Sequence, residues 1–137
     1  MIFTYEKKIY GYECDIYGHM NNAYYLMMLE AARSEALSEM GMPVKVFLEK
    51  GIQLFVLRYE LDYIKALMLE ETVTVKSWCY TMNRLKGFWK QEVYNSAGEL
   101  CFKAEFTVVH AAQGRARRLP VDVFEHINSF VEPPVED

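Results

Sequence analysis

An aspartate that lies just before a long helix could cleave an activated acyl bond. Asp15 opens the run DIYGHMNNAYY, residues 15 to 25, and a strong apolar helix pattern begins at Asn22. The start of a helix presents unpaired backbone N–H groups and about half a positive charge, which can stabilise the oxyanion formed when a carbonyl is attacked. A nearby carboxylate can attack that carbonyl or take a proton from water. Asp15 is therefore the first candidate catalytic residue.

Composition limits the classes of protein to which this chain can belong. Its 137 residues are 52% hydrophobic, which predicts a single domain over residues 1–137. The net charge of −4 argues against nonspecific nucleic-acid binding. With no visible secretory signal and no apolar run of membrane-spanning length, we expect a cytoplasmic protein without a membrane partner. Cys14, Cys79 and Cys101 lack the paired spacing of zinc sites, so we expect free thiols and neither a metal nor another cofactor.

The pattern after the aspartate predicts one long helix, from about Asn22 to Met40. Gly41 and Pro43 follow it as a typical stop signal. The stretch from Ala23 to Leu29 is apolar almost all round, so we expect that part of the helix to be enclosed on every side.

Most of the remaining chain alternates apolar and polar residues as strands do. A strand is predicted from Thr4 to Glu13, and others cover residues 54–64, 72–82, 88–94 and 99–111. Residues 95–98 predict a hairpin turn, 121–130 a short helix, and 131–137 a frayed tail. The order of one strand, one long helix and four antiparallel strands indicates the α+β class.

Two segments of the chain carry a resemblance to a known family. The run YECDIYGHMNNAYYLMMLEAAR (residues 12–33) and the exit QGRARRLP (residues 113–120) resemble the hotdog-fold 4-hydroxybenzoyl-CoA thioesterase superfamily. The GHMNN and LEAAR elements are most similar to bacterial acyl-CoA thioesterases. The resemblance implies a curved antiparallel sheet wrapped around one long central helix. It also implies homodimers joined edge to edge, often homotetramers, with active sites at the subunit interface.

The resemblance assigns roles to four residues of the motif. Asp15 matches the catalytic aspartate of the family, and Asn22 matches the position whose backbone N–H polarises the thioester carbonyl. Gly18 and His19 match the turn that presents this helix start to the substrate. The alternative for Asp15 is a helix-capping or solvated loop carboxylate.

Several neighbouring residues have two interpretations. His19 could act as a catalytic base, although bracing the turn or hydrogen bonding to the acyl group is favoured. Asn21 could orient water or, as we favour, cap the helix. Tyr25 could line an acyl tunnel or belong to the ordinary core. Glu30 and Arg33 lie three apart on the helix, which favours a structural ion pair and leaves Glu30 a minor catalytic candidate.

Two basic clusters could bind the phosphates of a substrate such as coenzyme A. The same charges would suit the acidic surface of an acyl-carrier protein, and the alternative is a solvated sheet edge. The clusters consist of Arg84, Lys86 and Lys90, and of Arg115, Arg117 and Arg118.

Together, these features predict a hydrolase that converts an acyl-CoA to a free acid and CoA. A second possibility is an acyl-carrier-protein thioesterase of fatty-acid or polyketide synthesis. A third is a hotdog protein that binds acyl thioesters without cleaving them, although Asp15 argues against it. A dehydratase is disfavoured because its histidine and acid pattern is missing.

Overall fold

Six antiparallel strands form a single sheet in the computed structural model, which describes residues 1–135. The strands are β1 (Phe3–Lys8), β2 (Gln53–Tyr63), β3 (Thr72–Met82), β4 (Lys86–Tyr94), β5 (Leu100–Ala112) and β6 (Arg115–Ala116). Their order along the main path is β1-β3-β4-β5-β2, and the short β6 pairs with β5. The two edges of this path are therefore β1 and β2.

One long helix lies against this sheet. The helices are α1 (Asn22–Glu39), α2 (Val44–Glu49) and α3 (Val121–Asn128). Within residues 1–135, none of them has both the length and the apolar character needed to cross a membrane. The α+β prediction of an antiparallel sheet around one central helix is confirmed.

The core forms where the two halves of α1 meet the sheet. Near its start, Tyr25 and Leu29 pack with Phe102 of β5. Nearer its end, Leu37 packs with Trp89 of β4 and with other apolar side chains of the sheet and of α3. The alternating burial along β3, β4 and β5 agrees with the period of two seen in the sequence.

Some predicted element boundaries were wrong. The first strand ends at Lys8 instead of Glu13, because the chain turns into a 3₁₀ segment at Gly11–Glu13. Glu13 fixes this turn by accepting the Tyr10 N–H at 2.9 Å. The helix α2 was predicted only as a connecting segment, and β6 was not predicted at all.

The first residues of the C-terminal tail are hydrogen-bonded to the rest of the chain. The Glu132 N–H donates to Cys79 O at 2.9 Å, and the Val131 N–H donates to Asn128 O at 3.2 Å. The prediction of a frayed tail is therefore wrong for these two residues. Its last two positions, residues 136–137, lie outside the described part of the chain.

The start of α1 is not enclosed on every side within one chain. Leu26 is 39% exposed and Met27 is 62% exposed, while Tyr25 and Met28 are buried. The curled sheet covers one side of the helix and leaves the other open, so the expectation of complete enclosure was wrong for the single chain. An exposed pair of large apolar side chains points to contact with another surface.

The edge strand β2 is long and unusually apolar on its exposed side. Among the described strands it pairs only with β5, and its exposed large apolar residues include Phe55 (45%), Leu57 (56%) and Tyr63 (52%). An unpaired edge of this kind is a template for pairing with another chain.

A buried polar network ties α1 to the middle of the sheet. Gln91 is fully buried and its amide donates to Leu29 O and to Ser77 Oγ, each at 2.9 Å. Its Oε1 accepts from the Arg33 guanidinium at 3.3 Å. The Gln91 amide, Leu29 O, Ser77 Oγ and the Arg33 guanidinium thereby each have a hydrogen-bond partner in a region with little water.

Replacing Gln91 by leucine is expected to lower the free energy of unfolding by about 2–4 kcal/mol, because two acceptors, Leu29 O and Ser77 Oγ, and one donor, the Arg33 guanidinium, lose a buried partner. Chemical denaturation measures this change. Gln113→Leu, on an exposed turn, serves as the control and is expected to change stability by less than about 0.5 kcal/mol. Equal stability of Gln91→Leu and the unmodified protein would show that the network does not stabilise the fold.

Candidate active site

The chain between Cys14 and Met20 folds into a tight turn that presents Asp15. Cys14 and Met20 pair as an antiparallel bridge. Inside it, the Asp15 N–H donates to His19 O at 2.9 Å, and the Gly18 N–H donates to Asp15 O at 3.1 Å. Gly18 has φ of 75°, a left-handed conformation that favours glycine. The residue type at position 18 therefore follows from the geometry of the turn.

Backbone hydrogen bonds orient the Asp15 carboxylate. Its Oδ1 accepts from the Tyr17 N–H at 2.9 Å and from the His19 N–H at 3.3 Å. The side chain is exposed, and within residues 1–135 its Oδ2 takes no hydrogen bond. Asp15 therefore does not cap α1, and one of its oxygens is free to meet a substrate or a water molecule.

The start of α1 is fixed by Asn21. Asn21 Oδ1 accepts from the Ala23 N–H at 3.0 Å, which is the capping bond expected from the sequence. The Asn21 N–H donates in turn to Glu13 O at 2.8 Å. The next amide, that of Asn22, makes no hydrogen bond within the described residues, as is usual for the first turn of a helix.

The two residues that carry the carboxylate and the free amide line one cavity. Asp15 and Asn22 both line a surface depression of about 330 Å³. The predicted residues His19, Asn21 and Tyr25 also line it. The remaining lining residues are Met20, Tyr63, Ile64, Lys65 and Ala66. A carbonyl placed there could meet a negative oxygen and a polarised N–H together, as cleavage of an acyl bond requires.

The sequence of this chain matches the model of a known family. The model of that family, described as the Thioesterase-like superfamily, matches residues 11–130. The chain belongs to the Thioesterase-like superfamily. The resemblance found in the sequence is thereby confirmed.

Individual relatives agree with this membership. YneP of Bacillus subtilis is 32% identical over 92 residues, which cover 67% of each chain. The long-chain acyl-CoA thioesterase FadM of Escherichia coli is 30% identical over 86 residues, covering 63% of this chain and 64% of FadM. Among solved structures, a DHNA-CoA thioesterase of Staphylococcus aureus has a TM-score of 0.81 at 24% identity and covers 90% of this chain and 83% of its own. The last likeness supports the fold.

Aromatic side chains form the inner wall of the cavity in this superfamily member. Tyr25 packs against Tyr63 and Phe102, with ring centroids 5.0 and 4.7 Å away. Burial raises the pKa of the Tyr25 phenol, whose oxygen accepts from the Leu67 N–H at 3.4 Å. The Tyr63 hydroxyl donates to Asn22 O at 3.4 Å, which links β2 to the helix start. Tyr63 was missed because its position depends on strand pairing that no local pattern reveals.

A single cation lines the Asp15 cavity within the described chain, and it is already paired. Lys65 Nζ lies 2.8 Å from both carboxylate oxygens of Glu99. This contact raises the pKa of Lys65 and lowers the pKa of Glu99. Both side chains are exposed to solvent, so the pair adds little to stability.

The basic residues predicted to bind phosphates lie elsewhere. Arg84 donates through Nε to Leu119 O at 2.8 Å, which is a structural contact. Lys86 and Lys90 alternate with the buried Gly87 and Trp89, so they face away from the helix. Arg117 lines a different cavity. None of the six predicted basic residues lines the Asp15 cavity of one chain.

Arg33 does not form the predicted ion pair with Glu30. Its guanidinium instead donates to the Tyr59 hydroxyl and to Gln91 Oε1, and its carbon lies 4.9 Å from the centroid of the Phe106 ring. The half-buried arginine turns into the space between helix and sheet, where polar and aromatic partners compensate for lost water. The spacing rule for exposed helix faces therefore did not apply.

The described residues contain no cluster of three or more metal-ligating side chains. Cys14, Cys79 and Cys101 are free thiols, as expected. Burial raises the pKa of Cys79 to about 11, so its thiol is protonated at neutral pH.

Proposed function

We propose that this protein hydrolyses acyl-CoA thioesters to a free acid and CoA. The observation that carries the proposal is that Asp15 and Asn22 line one cavity, while one Asp15 oxygen and the Asn22 N–H make no hydrogen bond within residues 1–135. Membership in the Thioesterase-like superfamily and the name of the relative FadM support the same reaction.

In the proposed reaction, the thioester carbonyl oxygen accepts a hydrogen bond from the Asn22 N–H. The helix start then stabilises the negative charge that develops on this oxygen. Asp15 either attacks the carbonyl carbon, giving an anhydride that water cleaves, or takes a proton from the water that attacks it. In both routes the carbon–sulfur bond breaks, the thiolate of CoA leaves and is protonated, and one water molecule is consumed. Gly18, His19 and Asn21 hold the turn and the helix start in place.

We propose further that two copies pair through β2 and that the active sites lie at their interface. The apolar edge of β2 and the open face of α1 are the surfaces that such pairing would cover. If two β2 strands pair antiparallel, the Tyr63 end of one lies beside the Gln53 end of the other. Because Tyr63 lines the Asp15 cavity, the second copy would then complete that cavity. Association of two such dimers would give the predicted tetramer.

Thiol release distinguishes the possible functions. The protein is assayed with acyl groups of several lengths, each attached either to CoA or to an acyl-carrier protein. We expect faster release from CoA, because the relative FadM is named a long-chain acyl-CoA thioesterase. A strong preference for the carrier protein would favour the alternative thioesterase. Tight binding without release from any substrate would indicate a binding protein instead.

A double variant tests the β2 interface. Phe55→Lys with Leu57→Lys places charges in the apolar edge that the proposed strand pair would bury, and a charge buried without a partner costs several kcal/mol. The dissociation constant is expected to rise by at least about a hundredfold, with loss of activity at concentrations that leave the variant monomeric. Light scattering during gel filtration measures the assembly. Val121→Lys, at another exposed apolar position, is the control. A fully active monomer would contradict the shared site.

A further inference from the structure

A second cavity lies between the C-terminal half of α1 and the sheet. This inner cavity has a volume of about 90 Å³. Its walls are mostly apolar: Leu37, Phe47, Leu54, Val56, Met82, Val108, Leu119 and Ile127. Arg33, Gly87, Trp89 and His110 also line it. The mechanism above uses none of these residues.

Two ring nitrogens of the inner cavity have no hydrogen-bond partner among residues 1–135. Trp89 is 8% exposed and His110 is 5% exposed. His110 Nδ1 lies 2.8 Å from Arg84 O, an acceptor, so Nδ1 carries the proton and Nε2 is an acceptor in the neutral ring. Burial lowers the pKa of His110, which keeps the ring neutral. Within residues 1–135, neither His110 Nε2 nor the Trp89 Nε1–H makes a hydrogen bond, and both atoms are accessible from the cavity.

Gly87 leaves open the place where these two nitrogens converge. A Cβ atom at residue 87 would lie 3.1 Å from Trp89 Nε1 and 3.6 Å from His110 Nε2. Both nitrogens therefore flank the face of Gly87 that lacks a side chain, and a small ligand group that packs against this face can come within reach of a donor and an acceptor at once. A hydroxyl group can accept from the indole N–H and donate to the imidazole nitrogen.

We propose that the inner cavity binds the far end of an aliphatic acyl chain that carries a hydroxyl group, held by Trp89 Nε1 and His110 Nε2. This inference rests on the proposed function and specifies its substrate as a hydroxylated acyl thioester. An apolar cavity of about 150 Å³ is known to hold benzene, so the smaller volume here favours a chain end over an aromatic ring. A carboxylate at the chain end fits this site less well than a hydroxyl. It would face the lone pair of the neutral imidazole, and Arg33, the cation that could neutralise it, is already bonded to Tyr59 and Gln91.

The proposed dimer supplies the route from the reacting carbonyl to the inner cavity. The inner cavity shares Arg33, Leu37, Phe47 and Leu54 with a more open groove that reaches Gln53 and Phe55 at the beginning of β2. Antiparallel β2 pairing places this end beside the Tyr63 end of the second copy. An acyl chain that reacts at Asp15 of one copy can therefore extend along this groove into the inner cavity of the other.

The kinetic test compares acyl-CoAs of equal length, with and without a terminal hydroxyl, over a series of lengths. At the length that reaches the cavity, we expect the hydroxylated substrate to have a kcat/KM about tenfold higher or more. Trp89→Phe keeps an aromatic ring beside Phe106 and is expected to reduce this ratio by about five- to tenfold. Trp78→Phe makes the same change on the opposite face of the sheet and should leave the ratio unchanged. A ratio near one at every length, or a preference for a terminal carboxylate, would overturn the inference.

A binding test is independent of catalysis. The chain has two tryptophans, so its indole N–H groups give two nitrogen-15 NMR signals, which Trp78→Phe assigns. Adding the hydroxylated fatty acid is expected to shift the Trp89 signal more than the unsubstituted acid does. In Gly87→Ala the new methyl covers the face between the two nitrogens and lies 3.1 Å from Trp89 Nε1, so the indole must shift slightly and this difference should disappear. Gly87 does not have a positive φ, so its backbone conformation suits alanine. Equal shifts with both acids would refute the hydroxyl site, even if the protein hydrolyses thioesters. A larger shift with the hydroxylated acid would support the site, even if the protein hydrolyses no thioester.

Discussion

Replacing Asp15 by asparagine is expected to lower kcat for thiol release by about 10²–10⁴-fold, the usual loss when a general base is removed. The loss would be larger if Asp15 is the nucleophile. The amide has the same shape as the carboxylate, and its oxygen can still accept the Tyr17 and His19 N–H groups. The variant therefore removes the charge while it preserves the turn, and its melting temperature should stay close to that of the unmodified protein.

Asp122→Asn is the matched control for this experiment. Asp122 is exposed in the first turn of α3, apart from the cavity, so its replacement should leave kcat unchanged. If Asp15→Asn turns over as fast as Asp122→Asn does, Asp15 has no part in the reaction. A large fall in melting temperature for Asp15→Asn alone would instead indicate a structural role for the charge.

The elements that could be predicted from sequence are those with strong local signals. The helix α1 was predicted within one residue at each end, because Asn21 caps it and Gly41 ends it with φ of 79°. The strand β5 was predicted within one residue because its apolar residues alternate on a buried face. The 3₁₀ segment was missed because its turn depends on the Glu13 side chain, whose acid also pairs with Lys7 at 2.7 Å.

The parts of the site that could not be predicted depend on long-range pairing. Asp15, His19 and Asn22 lie within eight residues of one another, so one motif could indicate their shared cavity. Tyr63 reaches the same cavity only because β2 pairs with β5, which places Tyr63 opposite Phe102. The inner cavity is harder still, since Gly87, Trp89 and His110 meet only when β4 and β5 form a ladder in the correct register. A lone histidine in a strand gives no local sign that one of its nitrogens faces a cavity.

The predicted phosphate-binding clusters of Arg and Lys illustrate a different error. Here a local pattern in the sequence suggested a site that one chain does not form. Clustered charges in sequence separate in space when neighbouring residues of a strand face opposite sides. Lys90 faces the outer side of the sheet, where its ammonium lies 5.0 Å from the Tyr80 ring. Composition can indicate attraction for phosphate, but only the fold decides where that charge lies.

Replacing Asn22 by proline is expected to lower kcat by about 10²–10³-fold, the typical loss of one oxyanion donor. Proline has no N–H, and the first position of a helix accepts it because its fixed φ suits the helix. Asn21, with ψ of 136°, already has the extended conformation that the residue before proline requires. The change therefore removes the donor and leaves α1 in place, which circular dichroism can verify.

Asn22→Ala keeps the backbone N–H and loses only the exposed side chain, so its kcat should remain close to that of the unmodified protein. If Asn22→Pro and Asn22→Ala are equally active, the amide does not stabilise the oxyanion. The double variant with Asp15→Asn adds a sharper test. Because the carboxylate and the amide are proposed to act on one tetrahedral intermediate, the two losses should not multiply. Fully multiplicative losses would mean that the two groups act independently, although they line the same cavity.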